Sequence, residues 1–160
     1  MGNGKGKTCA SAGQAIRALG SGLSVAFGQF MKRPDKSGEQ KILSALLGDN
    51  FFAAGAGFFH SEAQRGEQRQ KCLKVLQWAL GREAQLLVLD EALNALERGL
   101  LTADELRPFL ADRRGTNRHL VLTGRMAPSW LLAQGDIITG MSSLAHAFER
   151  GVGATCGIEF

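Results

Sequence analysis

Gly2-Asn3-Gly4-Lys5-Gly6-Lys7-Thr8 opens the chain and decides how the rest is read. Three glycines let a loop curl until successive backbone N–H groups converge on one anion. The Lys7 ammonium can reach the outer phosphates of a nucleotide, and the Thr8 hydroxyl can bind Mg²⁺. A helix beginning at about Thr8 would turn its positive end on the same anion. The usual spacing is G-x-x-x-x-G-K-[ST]. Here Gly2 stands one residue too near Gly6-Lys7-Thr8, and Met1 occupies the expected glycine position. The stretch therefore reads as a shortened nucleotide loop, with Gly2, Asn3, Gly4, Lys5, Gly6, Lys7 and Thr8 as its ATP-binding residues. The bland alternative is a flexible Gly/Lys-rich terminus. The amphipathic helical pattern that follows at once weighs against it.

A phosphate loop ordinarily joins a buried strand to a helix. This chain starts at the loop, so no residues are left to make that strand. The expected architecture is α/β, a P-loop NTPase-like, mostly parallel sheet flanked by helices and lacking its first strand.

The remaining segments support that class. Residues 8–19 read as a helix, with Ala12, Ala15, Ile16 and Leu19 at helical spacing and small residues at 10–13 that allow close approach to a sheet. Leu23–Phe30, Gln85–Leu89 and His119–Thr123 are continuous apolar runs, the mark of strands buried on both faces. Phe51–Phe59 reads as a strand running into a glycine-rich loop, and Asp136–Met141 as a last, weaker strand. Between them, Lys32–Gly38 is a polar turn, Glu39–Leu47 a short helix, and Ser61–Leu80 a longer one with Leu73, Leu76 and Leu80 inward. Thr102-Ala103-Asp104-Glu105 fits a capping box, and Ala127–Gln134 a short helix with Pro128 in its first turn. Strands alternating with helices predict a mostly parallel sheet. No repeat or linker divides the chain, so residues 1–160 read as a single nucleotide-binding domain.

Composition narrows the function. The 160 residues, 44% of them hydrophobic, suffice for one packed core. No apolar run approaches the roughly 18 residues of a membrane span, and no secretory signal is visible. Cys9, Cys72 and Cys156 are an odd set without C-x-x-C spacing, which argues against disulfides or zinc and suits a reducing cytoplasm. The formal charge of +4 favours anionic ligands such as ATP. Nucleic acid is not expected, because Tyr is absent and no Arg/Lys run is interleaved with aromatics.

Three further groups bear chemistry. Asp90-Glu91 ends a buried strand, where ligands gather in α/β sheets. A carboxylate there can hold Mg²⁺ opposite Thr8, and Glu91 is assigned that role. The alternative is a pair of solvated acids opening a helix. Arg125, after the strand end Thr123-Gly124, brings a fixed cation to the same rim as an ATP-binding residue, or is a surface arginine. Phe58-Phe59-His60 follows Gly55 and Gly57. On residue chemistry alone the two rings are core and His60 is exposed. His119 and His146 read as structural, and Cys9 as a packing residue beside a helix start.

Taken in order, these segments resemble the ATP:corrinoid adenosyltransferases of vitamin B12 synthesis, of the cob(I)yrinic acid a,c-diamide type. The likeness is carried by Gly2–Thr8, Arg17-Ala18-Leu19-Gly20, Gln29-Phe30-Met31-Lys32 with Gly38-Glu39, and Gly57-Phe58. It continues through Leu89-Asp90-Glu91, Gly99-Leu100-Leu101, Leu122-Thr123-Gly124-Arg125, His146-Ala147-Phe148 and Gly157-Ile158-Glu159-Phe160. The resemblance implies a cytoplasmic enzyme, here N-terminally truncated, in which a Co(I) corrinoid attacks the 5′-carbon of ATP and triphosphate leaves. It implies Mg²⁺ as cofactor, held by Thr8 and Glu91, and Lys7 as the catalytic cation on the departing phosphates. It also implies an electron-donating flavoprotein as partner, a homodimer, and catalytic Phe58 and His60 near the lower face of the corrinoid. His60 stands where the family carries tryptophan, and Ser142-Ser143-Leu144-Ala145 where it carries charges. Two alternatives stay open: a diverged ATP- and corrinoid-binding paralogue without transferase activity, and an ordinary P-loop ATPase or kinase.

Overall fold

The computed structural model describes residues 1–57, 61–113 and 115–158, without the side chain of residue 148. Four strands, β1 (Val25–Phe30), β2 (Phe51–Ala54), β3 (Leu86–Asp90) and β4 (His119–Leu122), form one sheet in the order β2-β1-β3-β4. Every pairing is parallel. β1 and β3 are buried along their whole length, which their continuous apolar runs require. β4 is an edge strand among the described residues, with His119 exposed and the rest half-buried. Residues 1–6 form an irregular loop.

Alternation along the strands builds two cores. Val25 and Phe27 of β1 and Leu86 and Val88 of β3 face Ala15 and Ala18 of α1 (Lys7–Gly20) and Leu43 of α2 (Gly38–Leu47). Ala26, Phe30, Leu87 and Leu89 face the opposite way. They pack on α3 (Glu62–Leu80), α4 (Ala92–Glu97) and α5 (Ala103–Arg113). Ser37 and Gln40 close a capping box on α2, and Thr102 and Glu105 close the expected one on α5. Glu105 also takes a bidentate contact from Arg69 of α3, at 2.5 and 2.8 Å.

Three local expectations are corrected. The inward stripe of α1 is Ser11-Ala15-Ala18, and Ile16 is 53% exposed. Small residues let the helix lie close to the sheet, which rotates the bulkier neighbour outward. In α3 the buried stripe is Gln68, Cys72, Val75, Leu76 and Ala79, so Leu80 falls past it and is 64% exposed. Asp136–Met141 is not a strand. The backbone of 139–141 instead binds the irregular N-terminal loop. The Met1 ammonium donates to Thr139 O, Met141 N to Met1 O, and Gly4 N to Met141 O, each at 2.8 Å. A short helix, α6 (Ser129–Leu132), precedes this segment, with Pro128 at its N-cap.

Candidate functional site

The site lies where the glycine loop meets the carboxyl ends of β1 and β3. Gly6 ends the loop with φ 110°, a left-handed conformation that favours glycine, and α1 starts at the next residue. A Cβ on Gly2 or Gly4 would come under 3.0 Å from the Met141 backbone, so both positions need glycine for the loop to seat against this segment. Gly2 N also donates to Arg125 O at 2.8 Å, while the Arg125 side chain is exposed. Lys7 folds across the loop, and its Nζ donates to Gly4 O at 2.8 Å. Between the loop and residues 138–143 lies a cleft of about 490 Å³, lined by Gly2, Asn3, Ile138, Met141, Ser142 and Ser143 among others.

Asp90 is the hub. It is the last residue of β3, is fully buried, and accepts from four side chains. The Thr8 hydroxyl donates to its two oxygens at 3.2 and 3.0 Å, and Thr123 Oγ1 to Oδ1 at 2.7 Å. Ser11 Oγ lies at 3.4 Å from Oδ1, and Gln29 Nε2 donates to Oδ2 at 3.1 Å. Parallel register sets Gln29 beside Asp90. The orientation of Gln29 is fixed because Gln40 Nε2 donates to its Oε1 at 2.9 Å.

A cation completes the arrangement. Lys32 Nζ is 2.8 Å from Glu39 Oε1, 3.1 Å from Thr8 Oγ1 and 3.6 Å from Asp90 Oδ2. Burial works against the Lys32 ammonium, but Asp90 and Glu39 outweigh it and raise its pKa above the ordinary lysine value. Burial likewise opposes ionised Glu39, and the Lys32 contact outweighs it to hold the carboxyl below its ordinary range.

Glu91 is placed differently from Asp90. It sits at the N-cap of α4 with φ 65°. Its side chain accepts from Asn94 Nδ2, and its N–H donates to Thr123 Oγ1 at 2.9 Å. Burial, then the Asp90 charge, push its pKa up, against Lys32 and Lys7. The structure thus brings Thr8 to Asp90, with Glu91 beside them. Among the described residues only Met31, Asp35 and Glu91 are non-glycines with positive φ. Two of these three flank the site, where backbone strain tends to collect.

The turn after β1 is braced from β2. Lys32 N donates to Phe30 O at 2.7 Å, closing a three-residue turn around Met31 at φ 63°. Gly57 N donates to Met31 O at 3.1 Å, and Arg33 Nε to Ala56 O at 2.7 Å. A Cβ on Gly55 would come under 3.0 Å from Met31 backbone atoms. Ala56 N in turn donates to the buried Gln68 Oε1 at 2.6 Å. Phe58 and His60, which follow this segment, lie outside the described residues.

The sequence reading therefore located the loop and the Asp90-Glu91 pair, but gave no role to Gln29, Lys32 or Glu39. One signal was present. Gln29 is an amide inside an otherwise apolar strand, and a buried polar group must have partners.

The donors suit Mg²⁺ and a polyphosphate. Thr8, with Asp90 or Glu91 beside it, offers hard oxygens, the ligand type Mg²⁺ takes. No group of three or more His, Cys, Asp or Glu able to hold an ion exists among the described residues. An ion at Thr8 would draw its other ligands from phosphate and water, its usual habit in nucleotide sites. The loop amides and the α1 N-terminus suit the phosphate chain. No described helix is long and apolar enough to cross a membrane.

Comparison with known proteins gives the same direction. The family described as ATP:corrinoid adenosyltransferase BtuR/CobO/CobP matches residues 1–160. A corrinoid adenosyltransferase of Pseudomonas aeruginosa is 34% identical over 99% of this chain and 80% of its own length. One from Sinorhizobium is 30% identical over 99% of this chain and 77% of its own. Corrinoid adenosyltransferase CobA of Salmonella typhimurium is 32% identical over 99% and 82%. With its fold and its glycine loop, this chain belongs to the ATP:corrinoid adenosyltransferase family of enzymes.

Proposed function

We propose that this chain, as a single nucleotide-binding domain, transfers the 5′-deoxyadenosyl group of ATP to the cobalt of a reduced corrinoid in vitamin B12 synthesis. The observation that carries the reading is the Thr8–Asp90 contact, which joins the glycine loop to the tip of the central strand. The Co(I) electron pair forms a Co–C bond at the 5′-carbon. The C–O bond breaks, and its electron pair leaves on triphosphate. The nucleophile carries its own electrons, so little proton transfer is required.

The chain's residues have one main task, to bind and neutralise the triphosphate. The amides of residues 2–8 and the α1 N-terminus hold its oxygens. Lys7 releases Gly4 O to meet them and stabilises the charge that grows on the leaving group. Thr8 with Glu91 or Asp90 would hold Mg²⁺, which when bound supplies further charge neutralisation. Arg125 stands at the rim, with its backbone already tied to Gly2. On the same reading Phe58 and His60 belong to the corrinoid's lower face. Cytoplasmic location, a flavoprotein electron donor and a homodimer belong to the same proposal.

The test supplies purified chain with Mg-ATP and chemically reduced corrinoid. Adenosylcorrinoid and triphosphate should appear in equal amounts. Orthophosphate without a Co–C product would instead indicate an ordinary ATPase, and binding of both substrates without product a carrier paralogue.

A further inference from the structure

We propose that Lys32 is an internal counter-cation that competes with the divalent ion for the Thr8 and Asp90 oxygens. Metal uptake then requires its ammonium to withdraw. This rests on the nucleotide reading only for the identity of the natural ion.

The argument begins with the Thr8 hydroxyl. It has one proton, which goes to Asp90 at 3.0 or 3.2 Å, and it accepts from Lys32 Nζ at 3.1 Å. Lys32 takes one of the two acceptor lone pairs of this hydroxyl, so a metal on the other would sit directly beside an ammonium. The same ammonium is 3.6 Å from Asp90 Oδ2, so it also partly neutralises the other candidate ligand. Two cations cannot share these oxygens at such distances without strong repulsion.

The placement of Lys32 is built into the fold. The Met31 turn swings it back over the end of β1, and Gly55 and Gly57 brace that turn from the other side. Its Nζ is tethered at 2.8 Å to Glu39 of α2. Glu39 in turn accepts from Gln29 Nε2 at 3.3 Å, and Gln29 also touches Asp90. A Lys32 ammonium displaced from Thr8 therefore has a place to stay, still on Glu39 and beside the phosphate site. Its competition is intramolecular, and a lone metal ion meets it at every encounter. A metal arriving with a polyphosphate brings negative charge that offsets the exchange. Lys32 would thus make metal binding depend on the nucleotide.

The experiment titrates Mn²⁺ alone into the full chain and follows free Mn²⁺ by electron paramagnetic resonance. Lys32→Met and Lys32→Gln are compared with the parent, and circular dichroism confirms that each is folded. Both variants should bind Mn²⁺ at least tenfold more tightly, and Mg²⁺ should displace it. Adding Thr8→Val to Lys32→Met should abolish the gain. Equal or weaker Mn²⁺ binding in both variants would overturn the proposal, as would a gain that survives Thr8→Val. ATP binding at saturating Mg²⁺ is measured separately. Its absence from parent and variants alike would overturn the nucleotide reading, while the Mn²⁺ titration still decides the role of Lys32.

Discussion

Asp90→Ala should be the most damaging single change at the site, and its cost can be worked from the contacts. The substitution removes the acceptor of the Thr123 hydroxyl, the nearer acceptor of the Gln29 amide and one of the two carboxylates beside Lys32, which keeps Glu39. Removing one partner from a buried charged network costs about 3–5 kcal/mol. Gln29 is fully buried and keeps only its longer 3.3 Å contact to Glu39, so the N–H that loses Asp90 accounts for about 1–3 kcal/mol of this. Taking about 4 kcal/mol in total, and about 2–4 °C per kcal/mol for a domain of this length, the midpoint should fall by roughly 8–16 °C. Asp90→Asn keeps one acceptor but sets an amide N–H₂ against a donor. Gln29 cannot turn to oblige, because Gln40 holds its other end. Asn should therefore cost about half as much as Ala. Thermal melts by circular dichroism, with calorimetric unfolding as a check on two-state behaviour, read both numbers. An Asp90→Ala midpoint within about 2 °C of the parent would refute the view that this carboxylate organises the strand ends.

Further outcomes follow from other contacts. Lys7→Ala and Thr8→Ala should each abolish productive Mg-ATP use, and calorimetry showing parental Mg-ATP binding in both would remove the loop from the mechanism. Glu91→Gln should weaken Mg²⁺-dependent ATP binding with the fold intact, whereas a lowered melting point with unchanged metal dependence would make Glu91 only a helix start. Gly124 has φ 153°, and a Cβ there would come under 3.0 Å from Leu93 and Asn94. Gly124→Ala should therefore cost about 2 kcal/mol or more, and an unchanged denaturation midpoint would count against that packing. The Arg69 hydrogen bond holds Glu105 at about 2 instead of 4.5. A depressed carboxyl stabilises above about pH 4.5 and loses that contribution as pH falls toward 2. The pair is partly exposed, which reduces the gain to about 1 kcal/mol. The stability gap between parent and Glu105→Gln should be flat above pH 5 and close near pH 2, and a pH-independent gap would refute the ion-pair account.

The loop, β1, β3, β4 and the capping box of α5 were legible because each depends on local sequence: glycine spacing, unbroken apolar runs, a Thr and Glu three apart. What escaped depends on register. Nothing local says that Gln29 will lie beside Asp90, yet that parallel pairing makes Asp90, rather than Glu91, the residue that meets Thr8. Lys32 reads as part of a polar turn and Glu39 as a helix start, because the partners of Lys32 come from α1 and β3 and those of Glu39 from the turn itself and β1. Ile16 and Leu80 were misplaced because apolar periodicity marks a broad stripe, and the sheet's contact with small residues selects its centre. Asp136–Met141 has a strand's composition, but its hydrogen bonds go to a curled loop and cannot repeat as a ladder.

The braced turn after β1 has a consequence for the order in which two ligands arrive. Lys32 sits on one side of Met31, and on the other Met31 O binds Gly57 N, one residue before Phe58. A shift of the Lys32 backbone would therefore be felt at Gly57, and a shift of Gly57 at Lys32. If one ligand engages each end, their affinities are linked, and by thermodynamic reciprocity each changes the other's by the same factor. ATP dissociation constants measured with and without a non-reducible corrinoid should differ, and Gly57→Ala, which presses on Arg33 at a φ of 82°, should shrink the difference. Identical constants in the parent would mean that the turn is merely stiff.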